Sequence, residues 1–323
     1  MAGRTALVTG AYGMLGAWLS AALLERGARV VVLRRDERPG SALVLDGTEP
    51  RCTVVHGDLL DAALIERVVG EHEVDSVFHL AAQTIVGTAN RSPRSTFEAN
   101  VTGTWNVLEA CRVHAVERVV VASSDKAYGA SDVLPYTEDL PLRAQHPYDA
   151  SKAAADLIAR SYFHTFGLPV AVTRFANLYG GGDQNGSRLI VEAVGAVLAG
   201  RAPVVRSDGS PERDFLYVED AVAAYLAIAD LLDAGGAAGE AFNAGGGAPL
   251  RVLDVVRAVC AAAGSALEPE IRGHGTPAGE IDRQWVDAGK LRGLSGWAPQ
   301  VGLAEGLART LAWYREHPQA LAS

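Results

Sequence analysis

"VTGAYGMLG", residues 8–16, places glycines at Gly10, Gly13 and Gly16, directly after the apolar run Thr5-Ala6-Leu7-Val8 and at the mouth of a helical pattern that starts at Met14. A strand that feeds a glycine-rich turn and then a helix reads as a dinucleotide cradle. Gly10 permits the tight turn, Gly13 lets backbone approach a pyrophosphate, and Gly16 lets helix and strand pack closely. The helix N-terminus then offers N–H donors and the positive end of its dipole to phosphate oxygens.

The same alternation continues outward from this stretch. Strand-like runs "ARVVVLRR" (28–35), "CTVVHGD" (52–58), "DSVFHLAA" (75–82), "ERVVVASS" (117–124) and "PVAVTRFAN" (169–177) are separated by helical patterns over 14–27, 61–72, 95–114 and 148–167. Val-rich strands alternating with helices predict a parallel sheet covered on both faces, a doubly wound α/β fold. After Asn177 the pattern loosens into glycine-rich loops such as "LYGGGDQNGS", "NAGGGAPL" and "RGHGTPAGE". The expected division is a cofactor domain over 1–176, to which 216–243 returns, and a smaller ligand-facing domain over 177–323.

Composition narrows the function classes. A chain of 323 residues with net charge −9 lacks the basic face that nucleic acid demands, though local arginines could still hold an anionic small ligand. Cys52, Cys111 and Cys260 form no CxxC pair, which points to reduced core residues and to no metal site or disulfide framework. No apolar run reaches membrane-spanning length, and the N-terminus turns into the glycine loop instead of a cleavable segment, so a cytoplasmic location is expected.

The end of the second strand bears on the cofactor. An acid there suits the ribose 2′-OH of NAD, and arginine suits the 2′-phosphate of NADP. "VVVLRRDER" offers Arg34 and Arg35 ahead of Asp36, which favours NADP slightly within an NAD(P) expectation. Asp58 and Leu59, after the third strand, could frame an adenine. Further on, Tyr148 and Lys152 in "YDASK" stand four apart and share a helix face. An ammonium beside a phenol lowers its pKa, so that the tyrosinate can take a hydroxyl proton while hydride leaves the same carbon.

With "TGAYGMLG", "GDLLD", "HLAAQ", "NVTGTWNVLEAC", "SSDKAYG", "YDASK", "RFANLYGGGD", "RDFLYVEDA" and "FNAGGG" in one chain, the sequence resembles the extended short-chain dehydrogenase/reductase family, and within it the nucleotide-sugar epimerases and dehydratases. The resemblance implies a Rossmann domain holding NAD(P), a smaller domain gripping a nucleotide diphosphate sugar, and a homodimer through the helices around 100–114 and 148–166. It implies cofactor contacts at Gly10, Tyr12, Gly13, Met14, Leu15, Gly16, Arg34, Arg35, Asp36, Asp58, Leu59, Leu80, Ala81, Ala82, Gln83, Asn100, Tyr148 and Lys152. Substrate contacts are implied at Thr84, Ser124, Asn177, Arg188, Arg213 and Arg283, the arginines supplying forked donors for a diphosphate.

In "ASSDKAYG" (122–129), Ser124 matches the family's catalytic hydroxyl and Asp125 its dehydratase acid. Lys126 stands where the commonest dehydratase pattern has glutamate, and resembles the Asp-Lys pair of CDP-glucose 4,6-dehydratases. The catalytic set implied is Ser124, Asp125, Lys126, Tyr148 and Lys152. Elimination after C4 oxidation needs an acid for the 6-hydroxyl and a base for the C5 proton, so Asp125 must retain its proton through a raised pKa. The reading is an NDP-hexose 4,6-dehydratase. An NDP-sugar or NDP-uronate 4-epimerase using the same oxidation is the alternative, and an idle cofactor-sensing member is a third reading that the intact Ser124, Tyr148 and Lys152 oppose.

Overall fold

The computed structural model describes residues 1–275 and 280–321, so part of the loop "RGHGTPAGE" and the last two residues of the expected smaller domain lie outside the described residues. Seven strands, β1 (Thr5–Thr9), β2 (Arg29–Arg34), β3 (Thr53–His56), β4 (Ser76–His79), β5 (Arg118–Ala122), β6 (Val170–Phe175) and β7 (Ala241–Ala244), form one sheet. Its order is β7-β6-β5-β4-β1-β2-β3, with every neighbouring pair parallel.

Side chains alternate across this sheet with the period of two that a pleated strand imposes. Ala6, Val8 and Val120 join the core on one face, and Leu7, Val119 and Val121 join the core on the other. Helices α1 (Met14–Glu25), α2 (Ala62–Glu71), α3 (Gly103–Val113), α4 (Pro147–Phe166) and α5 (Val218–Asp233) cover it. Ala17, Leu19 and Leu23 of α1 and Ala221, Tyr225 and Ile228 of α5 pack on the first face. Ile65 of α2, Val107 and Cys111 of α3, and Ala159 of α4 pack on the second. This is the doubly wound Rossmann arrangement expected from the sequence. Strand order reverses between β1 and β4, which opens a crevice at the carboxyl ends of the strands.

The segment 95–114, read as one helix, is interrupted. A short helix over Pro93–Phe97 runs into a π-helical turn over Glu98–Thr102 before α3 begins. Asn100, inside that turn, has its side chain drawn to Gln83 and Ser151, and the extra residue of a π turn is what lets it project there. By contrast α4 runs unbroken from Pro147 at its first turn to Gly167, which closes it in the left-handed conformation at φ 71.

After β6 the chain builds small strand pairs beyond the main sheet. Asn177–Tyr179 lies beside Phe215–Tyr217, and Glu212–Arg213 is flanked by Leu250–Arg251 and Arg283–Gln284. Among the described residues no helix is long and apolar enough to cross a membrane.

Candidate active site

Gly10 sits at φ +75, and a Cβ there would meet the Ala81 backbone nitrogen at 2.7 Å. A Cβ on Gly16 would lie 2.2 Å from the Gly10 carbonyl oxygen, so the close approach of turn and helix depends on both glycines. Gly13 caps α1 without a side-chain hydrogen bond, which leaves the first-turn donors around Met14 and Leu15 available to an anion. Leu80, Ala81, Ala82 and Gln83 leave β4 beside this turn, with Leu80 N donating to Thr9 O (3.2 Å) and Ala81 N to Thr9 Oγ1 (3.3 Å).

At the end of β2, Arg34 is engaged by the protein itself. Its Nε donates to Tyr12 Oη (2.9 Å), one terminal nitrogen pairs with Glu49, and another reaches Glu37 at 3.3 Å. Tyr12 Oη donates in turn to Glu49 Oε1 (2.5 Å). Arg35 is exposed and paired with Asp36 at 2.7 Å. Asp58 Oδ1 accepts from Leu60 N (2.9 Å), and the buried Leu59 presents its carbonyl to Asn106 Nδ2 (2.8 Å).

The stretch after β5 turns into a short 3₁₀ segment, Asp125–Tyr128, capped by Ser124. Ser124 Oγ accepts from Lys126 N (3.2 Å) and donates to Asp125 Oδ1 (3.1 Å). Asp125 is 2% exposed, and burial pushes its carboxyl up to about 6 against the pull of Lys126, Ser124 and Arg213. Its other oxygen, Oδ2, has no partner among the described residues. Lys126 Nζ reaches Gln284 Oε1 at 3.4 Å, and its charge also acts on the buried Asp149, whose carboxyl burial raises.

Tyr148 and Lys152 project from the first turns of α4 toward the end of β5. Lys152 Nζ donates to Ala122 O (2.8 Å), and burial lowers its pKa to about 8. The Tyr148 phenol is pushed up to about 12 by burial, opposed by the Arg188 charge and a hydrogen bond with Ser124. The cation that opposes this rise is Arg188, while the Lys152 ammonium is held by the Ala122 carbonyl.

Sequence reasoning missed a relay that fixes these groups. Ala81 N–H is bonded to the Thr9 hydroxyl, which lies 2.8 Å from His79 Nδ1, while His79 Nε2 lies 2.9 Å from Thr104 Oγ1. Thr104 Oγ1 donates to Asn100 O (2.7 Å), so it must accept from His79 Nε2, leaving Nδ1 to accept from Thr9. Burial, with the Lys152 charge, lowers the imidazole to about 3, which keeps that neutral tautomer. Asn100 Nδ2 then donates to Gln83 O (3.1 Å) and Ser151 Oγ (2.8 Å), and Ser151 Oγ donates to Tyr148 O (2.6 Å). The glycine turn and the tyrosine helix are thus joined by one chain of bonds. Asn100 was singled out from the sequence, but His79, a histidine ending an apolar strand, and the threonines on either side of it were not.

On the substrate side, Arg213 is nearly buried; it donates to the Glu212 and Asp282 carbonyls (3.0 and 2.9 Å), and its charge reaches Asp125. Arg188 pairs with Asp183 at 2.9 Å. Asn177 Nδ2 donates to Asp214 O (3.1 Å), and Thr84 is half-buried beside Gln83. Arg283 is exposed, paired with Glu212 at 2.8 Å and stacked over Trp285. Its neighbour Gln284, not singled out from sequence, is the residue of that strand that reaches Lys126.

The model of the NAD dependent epimerase/dehydratase family matches residues 6–245. A dTDP-glucose 4,6-dehydratase of Streptomyces griseus is 35% identical over 324 residues, 96% of this chain and 94% of that protein. A UDP-glucose 4-epimerase of Mycolicibacterium smegmatis is 35% identical over 320 residues, 97% and 99% of the two chains. Among solved structures, a dTDP-glucose 4,6-dehydratase from Streptomyces venezuelae with NAD bound superposes with a TM-score of 0.87 at 32% identity, covering 98% of this chain and 99% of that one.

Proposed function

The chain belongs to the NAD dependent epimerase/dehydratase family, and from that premise we propose that it is an NDP-hexose 4,6-dehydratase. The observation that carries this reading is Asp125: a buried carboxyl pushed up to about 6, with one oxygen left bare, beside Lys126. A 4-epimerase has no use for a retained acid at this point, whereas loss of water requires one.

The glycine turn, the uncapped start of α1 and the strand ends 80–83 fit a nicotinamide dinucleotide. Held by these residues, a nicotinamide would supply the reversible hydride transfer that oxidation at C4 and reduction at C6 require. The Tyr148 oxygen takes the C4-hydroxyl proton, aided by Ser124, while Lys152 holds the strand end at Ala122. With C4 a ketone, Lys126 in its neutral amine form takes the acidified C5 proton and Asp125 gives its proton to the 6-hydroxyl. Arg213, Arg188 and Asn177 flank the side where the diphosphate would lie, and Arg283 completes that set only if it leaves Glu212. NAD is the better fit of the two cofactors: Glu49 neutralises Arg34 and sets a carboxylate where NADP would bring a phosphate, so the slight sequence preference for NADP is not carried forward.

The proposed organisation keeps 1–176 with 216–243 as the cofactor domain, because α5 and β7 belong to the main layers. A homodimer is proposed through α3 and α4, which expose Trp105, Val113, Leu157 and Phe166. The deciding experiment supplies dTDP-, UDP- and CDP-glucose and GDP-mannose deuterated at C4, and follows products by NMR. Deuterium at C6 of a 4-keto-6-deoxy product is expected. Deuterium retained at C4 with inverted configuration would establish the epimerase instead.

A further inference from the structure

Buried polar atoms in folded proteins almost always find partners. Around Lys126 two do not, among the described residues: Asp125 Oδ2 and Gln284 Nε2. Gln284 is 0% exposed and lies in register with Arg213, the cation whose charge reaches Asp125. Its orientation follows from Lys126. Lys126 Nζ donates to the amide oxygen at 3.4 Å, so the amide nitrogen is turned elsewhere. A fully desolvated N–H donor without an acceptor is costly to fold around, and a ligand oxygen would remove that cost.

We propose that Gln284 is a further catalytic residue, whose Nε2 donates to the departing 6-hydroxyl oxygen alongside Asp125 while its Oε1 holds Lys126. The inference rests on the dehydratase reading. In the step, the C5–H bond breaks and its proton goes to Lys126 in its neutral amine form, which becomes the ammonium. The electron pair forms C5=C6, the C6–O bond breaks, and the oxygen leaves as water with the Asp125 proton. Gln284 transfers no proton. It stabilises charge that grows on the oxygen as the bond stretches, so its contribution is larger in the transition state than in the bound substrate.

The test uses the full chain with its cofactor, and compares the 6-hydroxy substrate that wild type converts with its 6-deoxy-6-fluoro analogue. Fluoride needs no proton to leave and little donor assistance. Gln284→Leu is expected to lose about 10²-fold in water loss but under about tenfold in fluoride loss, with C4 oxidation nearly unchanged by the absorbance of reduced cofactor. Gln284→Glu keeps an acceptor for Lys126 and removes the donor, so it should show the same leaving-group dependence; it serves also if the leucine variant does not fold. Equal losses with both leaving groups, or a glutamate variant at wild-type rate, overturn the role of Nε2. Wild type that forms 4-keto-6-deoxy product in the same series separates that failure from a failure of the dehydratase reading. Wild type that only inverts C4 removes both.

Discussion

Asp156 and Asp125 are both out of water, 0% and 2% exposed, yet they are built in opposite ways. Asp156, on α4, accepts from Arg174 at both oxygens, Nε to Oδ2 at 2.7 Å and a terminal nitrogen to Oδ1 at 2.9 Å. Arg174 gives its other terminal nitrogen to Tyr128 Oη (3.1 Å) and Glu138 O (3.0 Å). That network is closed, and it ties β6, α4 and the turn after β5 into one piece. Asp125 has a single hydroxyl donor and a bare oxygen. A closed buried charge fixes geometry; an open one is left able to hold and release a proton.

The difference is broken most severely on the open side. Tyr148→Phe removes the proposed proton acceptor for C4 oxidation, a loss of about 10²–10⁴-fold in turnover, while thermal unfolding and cofactor binding stay close to wild type. Retention of most of the rate would show that the tyrosine is not the base. On the closed side, Asp156→Ala leaves Arg174 buried without its partner and should cost about 3–5 kcal/mol in denaturant unfolding. A loss below about 1 kcal/mol would mean that Arg174 is not held by this pair.

Asp125→Asn sharpens the contrast, because it should damage chemistry and help the fold. The folded carboxyl keeps its proton up to about 6, through burial, while an unfolded one releases it near 4. The folded chain therefore binds more protons across that window, and stability falls as pH rises through it. Above about pH 6 the variant should be more stable than wild type by roughly 1–3 kcal/mol, and below about pH 4 the gain should vanish. Water loss should be nearly abolished in the same protein while C4 oxidation persists. A variant less stable than wild type at neutral pH would mean that Asp125 is held by bonds its burial does not reveal.

The sheet was legible because periodicity and glycine spacing are local: Leu7, Val31 and Val77 face one side simply because strands alternate. So was the meeting of Ser124, Tyr148 and Lys152, which follows from strand ends and a four-residue helix spacing. What stayed hidden depends on long-range partners. The π turn at Glu98–Thr102 arises from bonds between Asn100 and residues 17 and 51 positions away. Gln284 reaches Lys126 across 158 positions, from a two-residue strand with no periodicity to announce it. The pairing of Arg34 was hidden for the same reason, since nothing local shows that Glu49 is its partner.

Arg34 also gives the smallest of these effects, and asks whether a closed network at the cofactor edge behaves like the one in the core. Its pairing with Glu49 and its bond to Tyr12 are partly exposed, at 16% and 20% for the two charged side chains, so solvent screens them. If Arg34 is committed to Glu49, Arg34→Ala should change the ratio of NAD to NADP affinity by less than about tenfold, under about 1.4 kcal/mol. Glu49→Gln should then do more than Arg34→Ala, because it frees a guanidinium for a 2′-phosphate and removes the carboxylate that would repel it. Calorimetry of both variants against both cofactors reads the ratio directly. NAD bound tighter than NADP by wild type, with NADP gaining only in Glu49→Gln, is the expected pattern. NADP bound tighter by wild type and weakened by Arg34→Ala would mean that the pair opens when a phosphate arrives, and that a network at the surface closes only until a stronger anion competes for it.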